Sequence, residues 1–327
     1  SALVARADAD CRAEEPDCVA VGEWQFAVGL GLGVRTNPLA EGSDLPILIL
    51  PEISYYGERF FWDTTNIGFT LLETRHHSLN LLATVGLDHM YFHDWSIGNF
   101  VIEGAAGNFT LSHAPPQVQE PIPGTDNEGV PPGMPEDGSD NAASDEEIRT
   151  PNPSDKDGPN EFFHSPKQLT GLRSETVTIT LDKRRMAALA GIDYSFYWRD
   201  TVLGVQWLHD ISGVHEGQEL RLGLDRRWYL GEQQLGLAAG AVWQSRELVD
   251  YYYGVEAHEV EGRGELVYSP THALTPFVRI DWSMPVTKRW RLQATLHHKW
   301  FDHTISDSPI VDKRSSTSVF VGGVYHF

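Results

Sequence analysis

The sequence predicts an all-β fold: a closed antiparallel transmembrane β-barrel of about twelve strands with one long acidic loop, set in a bacterial outer membrane. Three observations predict it. Apolar and polar or small residues alternate with period 2 through segment after segment of the 327 residues. Tryptophans gather at the ends of the apolar faces. The chain closes on an alternating aromatic stretch whose last residue is Phe327.

The alternation starts at Trp24, where Trp24, Phe26, Val28, Leu30, Leu32 and Val34 share a face opposite Gln25, Ala27, Gly29, Gly31 and Gly33. The split recurs with Leu79, Leu81, Ala83, Val85 and Leu87 against Asn80, Leu82, Thr84, Gly86 and Asp88. It recurs again with Ile192, Tyr194, Phe196 and Trp198 against Asp193, Ser195 and Tyr197, and with Leu220, Leu222, Leu224 and Trp228 against Arg221, Asp225 and Arg227. Trp290, Leu292, Ala294, Leu296 and Trp300 oppose Arg291, Gln293, Thr295, His297 and Lys299. Successive strand residues point to opposite faces, so such runs build a wall with one apolar and one polar side. A soluble sandwich also alternates, but its apolar face points inward and seldom ends in aromatics. Here Trp24, Trp198, Trp207, Trp228, Trp243, Trp282, Trp290 and Trp300 lie at or near strand ends on the apolar face, where a membrane interface selects amphipathic rings.

Composition agrees once its meaning in a barrel is considered. Charged residues are 22% and hydrophobic ones 41% of the chain, and mean hydropathy is −0.31. No run of about 18 apolar residues occurs, which excludes a helical span. A barrel strand shows only alternate residues to lipid and keeps its average hydropathy low. Val319, Val321, Gly323, Tyr325 and Phe327 share one face of the last segment, which resembles the terminal signal by which bacterial barrels are recognised for assembly.

Turn chemistry sets the strand order. Tight turns at Tyr56-Gly57-Glu58, Trp198-Arg199-Asp200, Gly231-Glu232-Gln233 and Val286-Thr287-Lys288 are expected on the periplasmic side. Long connections at 35–45, 92–182, 209–218, 246–274 and 302–315 are expected outside, since the two kinds segregate across the membrane. Parity then requires Arg59 to Leu72 to split near Asn66, into 59–64 and 67–73, giving twelve strands. A further strand over Glu261 to Tyr268 would change the count, so ten and fourteen stay open.

The chain divides into a periplasmic leader over 1–21, the barrel over 22–327, and an acidic Pro/Gly-rich loop over 103–176 inserted in it. The chain begins Ser1-Ala2-Leu3 with no basic-then-apolar segment, as expected of an exported protein whose signal peptide has been removed. Cys11 and Cys18 in the leader are positioned to form a disulfide in an oxidising periplasm, reduced thiols being the alternative. Between Glu120 and Glu161 twelve acids stand against Arg149 and Lys156, a net −10 of the chain's −21. Such a segment buries no core, and the plain expectation is a solvated extracellular loop. The sharper one is a calcium turn at Asp155, Asp157, Asn160 and Glu161, whose oxygens alternate around Gly158 but lack the distal glutamate of a full calcium loop. No other cofactor is expected.

Chemistry is thin elsewhere. His93-Asp94 and His209-Asp210 are adjacent pairs that could orient a general base, yet neighbours on a strand face opposite ways. The same alternation argues against metal sites at His76-His77 and His297-His298. No serine sits in a nucleophile context, so no catalytic residue is expected. Inward charges are more informative: Glu52, Asp88, Asp193, Asp225 and Asp281 face Arg221, Arg227, Arg279, Arg291 and Lys299. Five of each sign predict a paired network filling a narrow interior, which a folded-in loop could further plug.

Several stretches carry a family resemblance. Trp24 opens a strand followed by Pro46-Ile47-Leu48-Ile49-Leu50-Pro51 and Tyr55-Tyr56-Gly57-Glu58-Arg59-Phe60-Phe61. Later come Asp250-Tyr251-Tyr252-Tyr253-Gly254-Val255, Ser308-Pro309-Ile310-Val311 and the terminal Tyr325-His326-Phe327. Together they resemble the MipA/OmpV family of outer-membrane proteins over about 22–102 and 183–327, with the triple-tyrosine and Ser-Pro elements the most specific. The resemblance implies a non-enzymatic envelope role: scaffolding of peptidoglycan enzymes in one member, adhesion, osmotic response or antibiotic sensitivity in others. It implies protein partners in the envelope beside the surrounding lipid and lipopolysaccharide, none of them nucleic acid. A narrow channel for small polar or charged solutes is the second expectation, and a lipid- or peptide-modifying enzyme a minor third.

Overall fold

The computed structural model describes residues 22–93, 96, 99–101, 168–171, 177–260 and 262–327, with backbone only for 168–171, 177 and 178. The expected disulfide at Cys11 and Cys18 and the calcium turn at Asp155, Asp157, Asn160 and Glu161 lie outside these residues.

The strands are β1 (Trp24–Arg35), β2 (Leu45–Tyr56), β3 (Phe60–Asp63), β4 (Asn66–Glu73) and β5 (His77–Val85), then β6 (Gln168–Gly171) and β7 (Val177–Thr180). They continue as β8 (Ala188–Trp198), β9 (Thr201–Asp210), β10 (Gln218–Leu230) and β11 (Gln233–Gln244), with helix α1 (Arg246–Tyr253). β12 (Ala273–Pro285), β13 (Trp290–Trp300), helical turn α2 (His303–Ser306) and β14 (Ser315–His326) complete the order. Twelve strands close into one antiparallel barrel, in which β5 neighbours β8 and β14 pairs with β1; β6 and β7 form a separate hairpin. The split expected near Asn66 is the β3–β4 turn at Thr64 and Thr65. Glu261 to Tyr268 supplies no barrel strand: Gly264–Leu266 is a single 3-10 turn and Tyr268 bridges to Val255.

The faces fall as the alternation requires. Leu32, Trp198 and Val321 are 77%, 61% and 57% exposed on the outer wall, while Asn80, Asp193, Asp225 and Gln293 are buried inside. Exposure of that size on apolar side chains is sustained only by lipid, which has no water to exclude. The inner glycines have a reason of their own. Phe61 pairs with Gly68 and Phe277 with Gly240, and a Cβ on Gly240 would come within 2.7 Å of Phe277 Cζ. The aromatic rings therefore lie flat on glycine along the wall, an arrangement that pins register where glycine alone would weaken the sheet.

The turns segregate. Residues 57–59, 74–76, 199–200, 231–232 and 286–289 close one end, with Gly231 at φ 67° providing the left-handed residue of the tightest turn class. Connections 36–44, 211–217 and 301–314 leave from the other end, as do the described residues that flank β5, β8, β11 and β12. That long-loop end carries the largest apolar cluster among the described residues. It is built from Leu39, Met90, Tyr91, Ile179, Leu248, Val249, Tyr252, Tyr253, Val260, Ile305 and Ile310. Four of these connections thus pool their few apolar side chains into one cap at the barrel mouth, while Val214 of the fifth packs on a separate cluster with Leu189 and Leu208.

Candidate functional site

The cap begins with α1. Its apolar side chains Leu248, Val249, Tyr252 and Tyr253 recur at the three- and four-residue spacing of one helix face, and all four are buried. The tyrosine hydroxyls then tie separate connections together. Tyr253 donates to Asp88 Oδ1 at 2.8 Å, and Gln244 Nε2 donates to the other oxygen at 2.8 Å. Tyr252 donates to the Arg185 carbonyl at 2.9 Å, and Tyr251 accepts from the Arg185 amide at 2.9 Å. Ser308 Oγ donates to the Tyr253 carbonyl at 2.6 Å. The Ser308 carbonyl accepts from Val311 N at 3.0 Å, a turn for which Pro309 presets the backbone. Tyr251, Tyr252, Tyr253, Gly254, Ser308 and Pro309 are therefore one contiguous piece of cap.

Beside these residues lies a buried ion pair that sequence reasoning missed. Arg184 Nη1 stands 3.1 Å from Glu259 Oε1, with side chains 8% and 0% exposed. Glu259 also accepts from Asp182 N at 2.7 Å and Glu256 N at 2.9 Å, and Arg184 Nη2 donates to the Gly254 carbonyl at 3.1 Å. The signal available was Glu256-x-x-Glu259, which forms a reciprocal capping box at a 3-10 turn. Asp210 plays a similar role in the 211–217 connection, accepting from the amides of Ser212, Val214, His215 and Glu216.

Titration in the cap follows burial. Burial holds His89 down to about 4 and also lowers His215. His215 Nδ1 accepts from Gly217 N at 2.9 Å, so the neutral ring is the one that fits. His258 is exposed and moves the other way, raised first by its hydrogen bond to Asp182 Oδ2 at 3.1 Å. Asp182, His258 and Glu259 come close enough to share an ion, but the Glu259 oxygens are already taken up by Arg184 and two amides.

Inside the barrel, three of the expected arginines meet an acid on their own strand. Arg221 meets Glu219, Arg227 Nε lies 3.5 Å from Asp225 Oδ1, and Arg279 Nε donates to Asp281 Oδ2 at 2.6 Å. Each is a pair two residues apart on one strand, so these bridges run along the wall. Asp193 accepts from Asn80 Nδ2 at 2.9 Å and Gln206 Nε2 at 3.1 Å. Glu52 and Arg291 are buried on the inner faces of β2 and β13. Asp88 sits on the 3-10 turn Asp88–Phe92 inside the cap, because β5 ends at Val85. Lys299 points upward, its ammonium 5.1 Å from the Tyr91 ring and 5.5 Å from Phe301. Sequence reasoning missed Arg35, whose fully buried guanidinium donates to Ser318 Oγ and to the Val101 carbonyl, each at 2.8 Å. His297 and His298 separate as alternation requires: His297 is buried inside, and His298 meets Thr317 Oγ1 at 2.7 Å.

A closed twelve-strand barrel with a lipid-facing apolar belt, tryptophan girdles and a capped mouth is an outer-membrane β-barrel protein. More narrowly, the chain belongs to the family described as MltA-interacting protein MipA, whose model matches residues 28–327. It is similar to the putative outer membrane protein YiaT of Escherichia coli K12, 26% identical over 147 residues, covering 45% of this chain and 60% of that one. The MltA-interacting protein of the same strain is 24% identical over 147 residues, covering 45% and 59%. Outer membrane protein OmpV of Vibrio cholerae is 25% identical over 154 residues, covering 45% and 57%. The chain thus spans about 60% of the length of the curated relatives it matches. Among solved structures, the Vibrio cholerae outer membrane protein OmpT superposes with TM-score 0.30 at 7% identity, over 94% of this chain and 100% of that one. A Pseudomonas aeruginosa FadL homologue gives 0.33 at 10%, over 92% and 89%. Both are too distant to inform function.

Proposed function

We propose that the protein is a non-enzymatic scaffold of the outer membrane, presenting its cap and its short turns to protein partners, peptidoglycan-processing enzymes among them. The observation that carries this reading is the occlusion of the barrel's interior. The inner side chains of β13, namely Arg291, Gln293, Thr295 and His297, are all buried, and described side chains of four connections pack together at the mouth. A barrel filled in this way works through its outside. Family membership supports the class of partner, since one relative is named for interacting with MltA.

The second reading, a narrow channel for small polar or charged solutes, draws on the charged bridges that run along the inner wall. Planar-bilayer recording separates the two. The scaffold reading expects little steady conductance from the intact protein, and a rise for Arg221→Ala with Arg227→Ala. A large steady conductance in the unaltered protein would favour the channel. Crosslinking in intact envelopes followed by mass spectrometry tests the partner class, and recovery of no peptidoglycan enzyme would remove it.

A further inference from the structure

We propose that the outer wall at the β8–β10 corner binds the phosphate of an inner-leaflet phospholipid, held by Arg226 and Arg199, and favours a net anionic headgroup. Arg226 is a charge on the lipid side of the wall. Its neighbours Asp225 and Arg227 face inward and bridge to each other, so Arg226 between them faces out. Register agrees: Arg226 pairs with Leu237 of β11, and Leu224, two residues along, pairs with Leu203 of β9. Arg226 and these three leucines are all exposed on the outer face.

Depth makes that position informative. β10 ends at Leu230, so Arg226 stands about 10 Å from the turn, at about 3.4 Å per residue and a strand tilt of about 40°. Trp228 lies nearer the turn on the same face, and tryptophans so placed mark the headgroup level. Arg226 is thus rooted on the membrane side of the aromatic girdle, where an arginine persists only by reaching back to the headgroups or to an anion. Its Cζ lies 5.3 Å from the centre of the Trp228 ring, so the guanidinium does reach back. Arg199, on the turn between β8 and β9, stacks likewise, its Cζ 5.7 Å from the centre of the Trp198 ring. Trp198 pairs with Thr201 and Thr201 with Arg226, and Arg227 N donates to the Asp200 carbonyl at 3.0 Å. Trp198 and Arg226 are therefore two strand spacings apart, about 10 Å, a distance across which two arginine side chains can converge.

The occupant follows from what these two cations lack and what surrounds them. Among the described residues neither guanidinium has an acid within ion-pair distance: Asp225 faces inward on Arg227, and Asp200 forms no salt bridge. Short turns mark the periplasmic end of such barrels, so the medium at this level is the headgroup layer of the inner leaflet. The anion that layer carries is a phosphodiester. A guanidinium suits it, because its planar fork donates paired hydrogen bonds to phosphate oxygens. Stacking on an indole occupies the face of the fork and leaves its edge N–H groups to the ligand. Two cations with no acid between them favour a headgroup of net negative charge, whereas the ammonium of a zwitterionic one would be repelled by them.

The test titrates the full chain, folded in detergent, with phosphatidylglycerol, phosphatidylethanolamine or diacylglycerol of identical acyl chains, and reads bound lipid by native mass spectrometry. The proposal expects one saturable phosphatidylglycerol, bound about tenfold more tightly than phosphatidylethanolamine, and no saturable diacylglycerol. Arg226→Gln should weaken that binding about tenfold, as loss of a charge-assisted hydrogen bond predicts, and Arg199→Gln severalfold. Arg289→Gln removes a charge from another short turn, where Arg289 meets the Tyr325 hydroxyl, and should leave binding unchanged. Arg199→Gln lies on a turn rather than in the wall, and carries the test if Arg226→Gln fails to fold. Binding unaffected by either variant, lowered as much by Arg289→Gln, or equal for the three lipids would overturn the proposal. Only lipid binding is read, so the result is independent of any capture of protein partners.

Discussion

Replacing Arg184 by methionine should open the cap while leaving the barrel intact. The Glu259 carboxylate is wholly buried and keeps two amide donors, from Asp182 at 2.7 Å and Glu256 at 2.9 Å, after the guanidinium at 3.1 Å is gone. Removing one partner of such a pair strands a buried charge, at a cost of about 3–5 kcal/mol. At roughly 1.4 kcal/mol per factor of ten, the open population of the cap should rise between about 10²-fold and about 4,000-fold. The loss is local, because Arg184 and Glu259 belong to connections and no barrel ladder passes through either. Hydrogen exchange of the amides between 246 and 260, with limited proteolysis alongside, reads the opening; heat-modifiable migration on gels reads the barrel. Arg184→Met with Glu259→Met should regain most of the protection, since exchanging both ions for apolar groups is often close to neutral. If the single variant protects 246–260 as well as the parent does, the buried pair is not what holds the cap and the reasoning fails.

Acidification should loosen the same cap. His89, held near 4 by burial, and His215, also lowered, contribute stability that is full above about 6.5 and lost as pH falls towards 4; His258, raised by Asp182, works weakly the other way. Cap proteolysis should therefore be faster at pH 5 than at pH 7.5, and a flat profile would count against neutral buried histidines. Gly240→Leu should destabilise the barrel by about 1–3 kcal/mol in urea unfolding, because its Cβ meets Phe277 Cζ at 2.7 Å and the Leu222 carbonyl closer still. Gly236→Ala, whose nearest neighbour would be 3.6 Å away, should be tolerated, and equal losses in both would refute the ring-on-glycine account. Calcium should protect a region near 152–163 from protease while 115–148 stays cleavable, and deleting 115–160 should leave the barrel heat-modifiable; unchanged cleavage with and without calcium would remove the ion. Cys11 and Cys18 should both resist alkylation before reduction, and two reactive thiols in fresh envelopes would exclude the disulfide.

What the sequence determined by itself is the wall. Alternation is a local property of the extended chain, and a lipid outside with a packed interior forces each residue to one side. Leu30 against Gly31, or Leu296 against His297, can therefore be assigned without knowing any partner. Strand parity even located the β3–β4 turn, since a closed antiparallel barrel has to return each loop to its proper side. The same local logic reached its limit with the charges: a balanced set of signs was legible, but whether Arg279 meets Asp281 on its own strand or crosses the interior depends on the barrel's shape. Only the tertiary structure decided the cap. Tyr253 finds Asp88 across 165 residues, Arg184 finds Glu259 across 75, and Ser308 finds the Tyr253 carbonyl across 55. No periodicity links such positions, because each loop is too poor in apolar residues to fold alone, and their contacts exist only once the closed barrel has brought five loop bases to one rim.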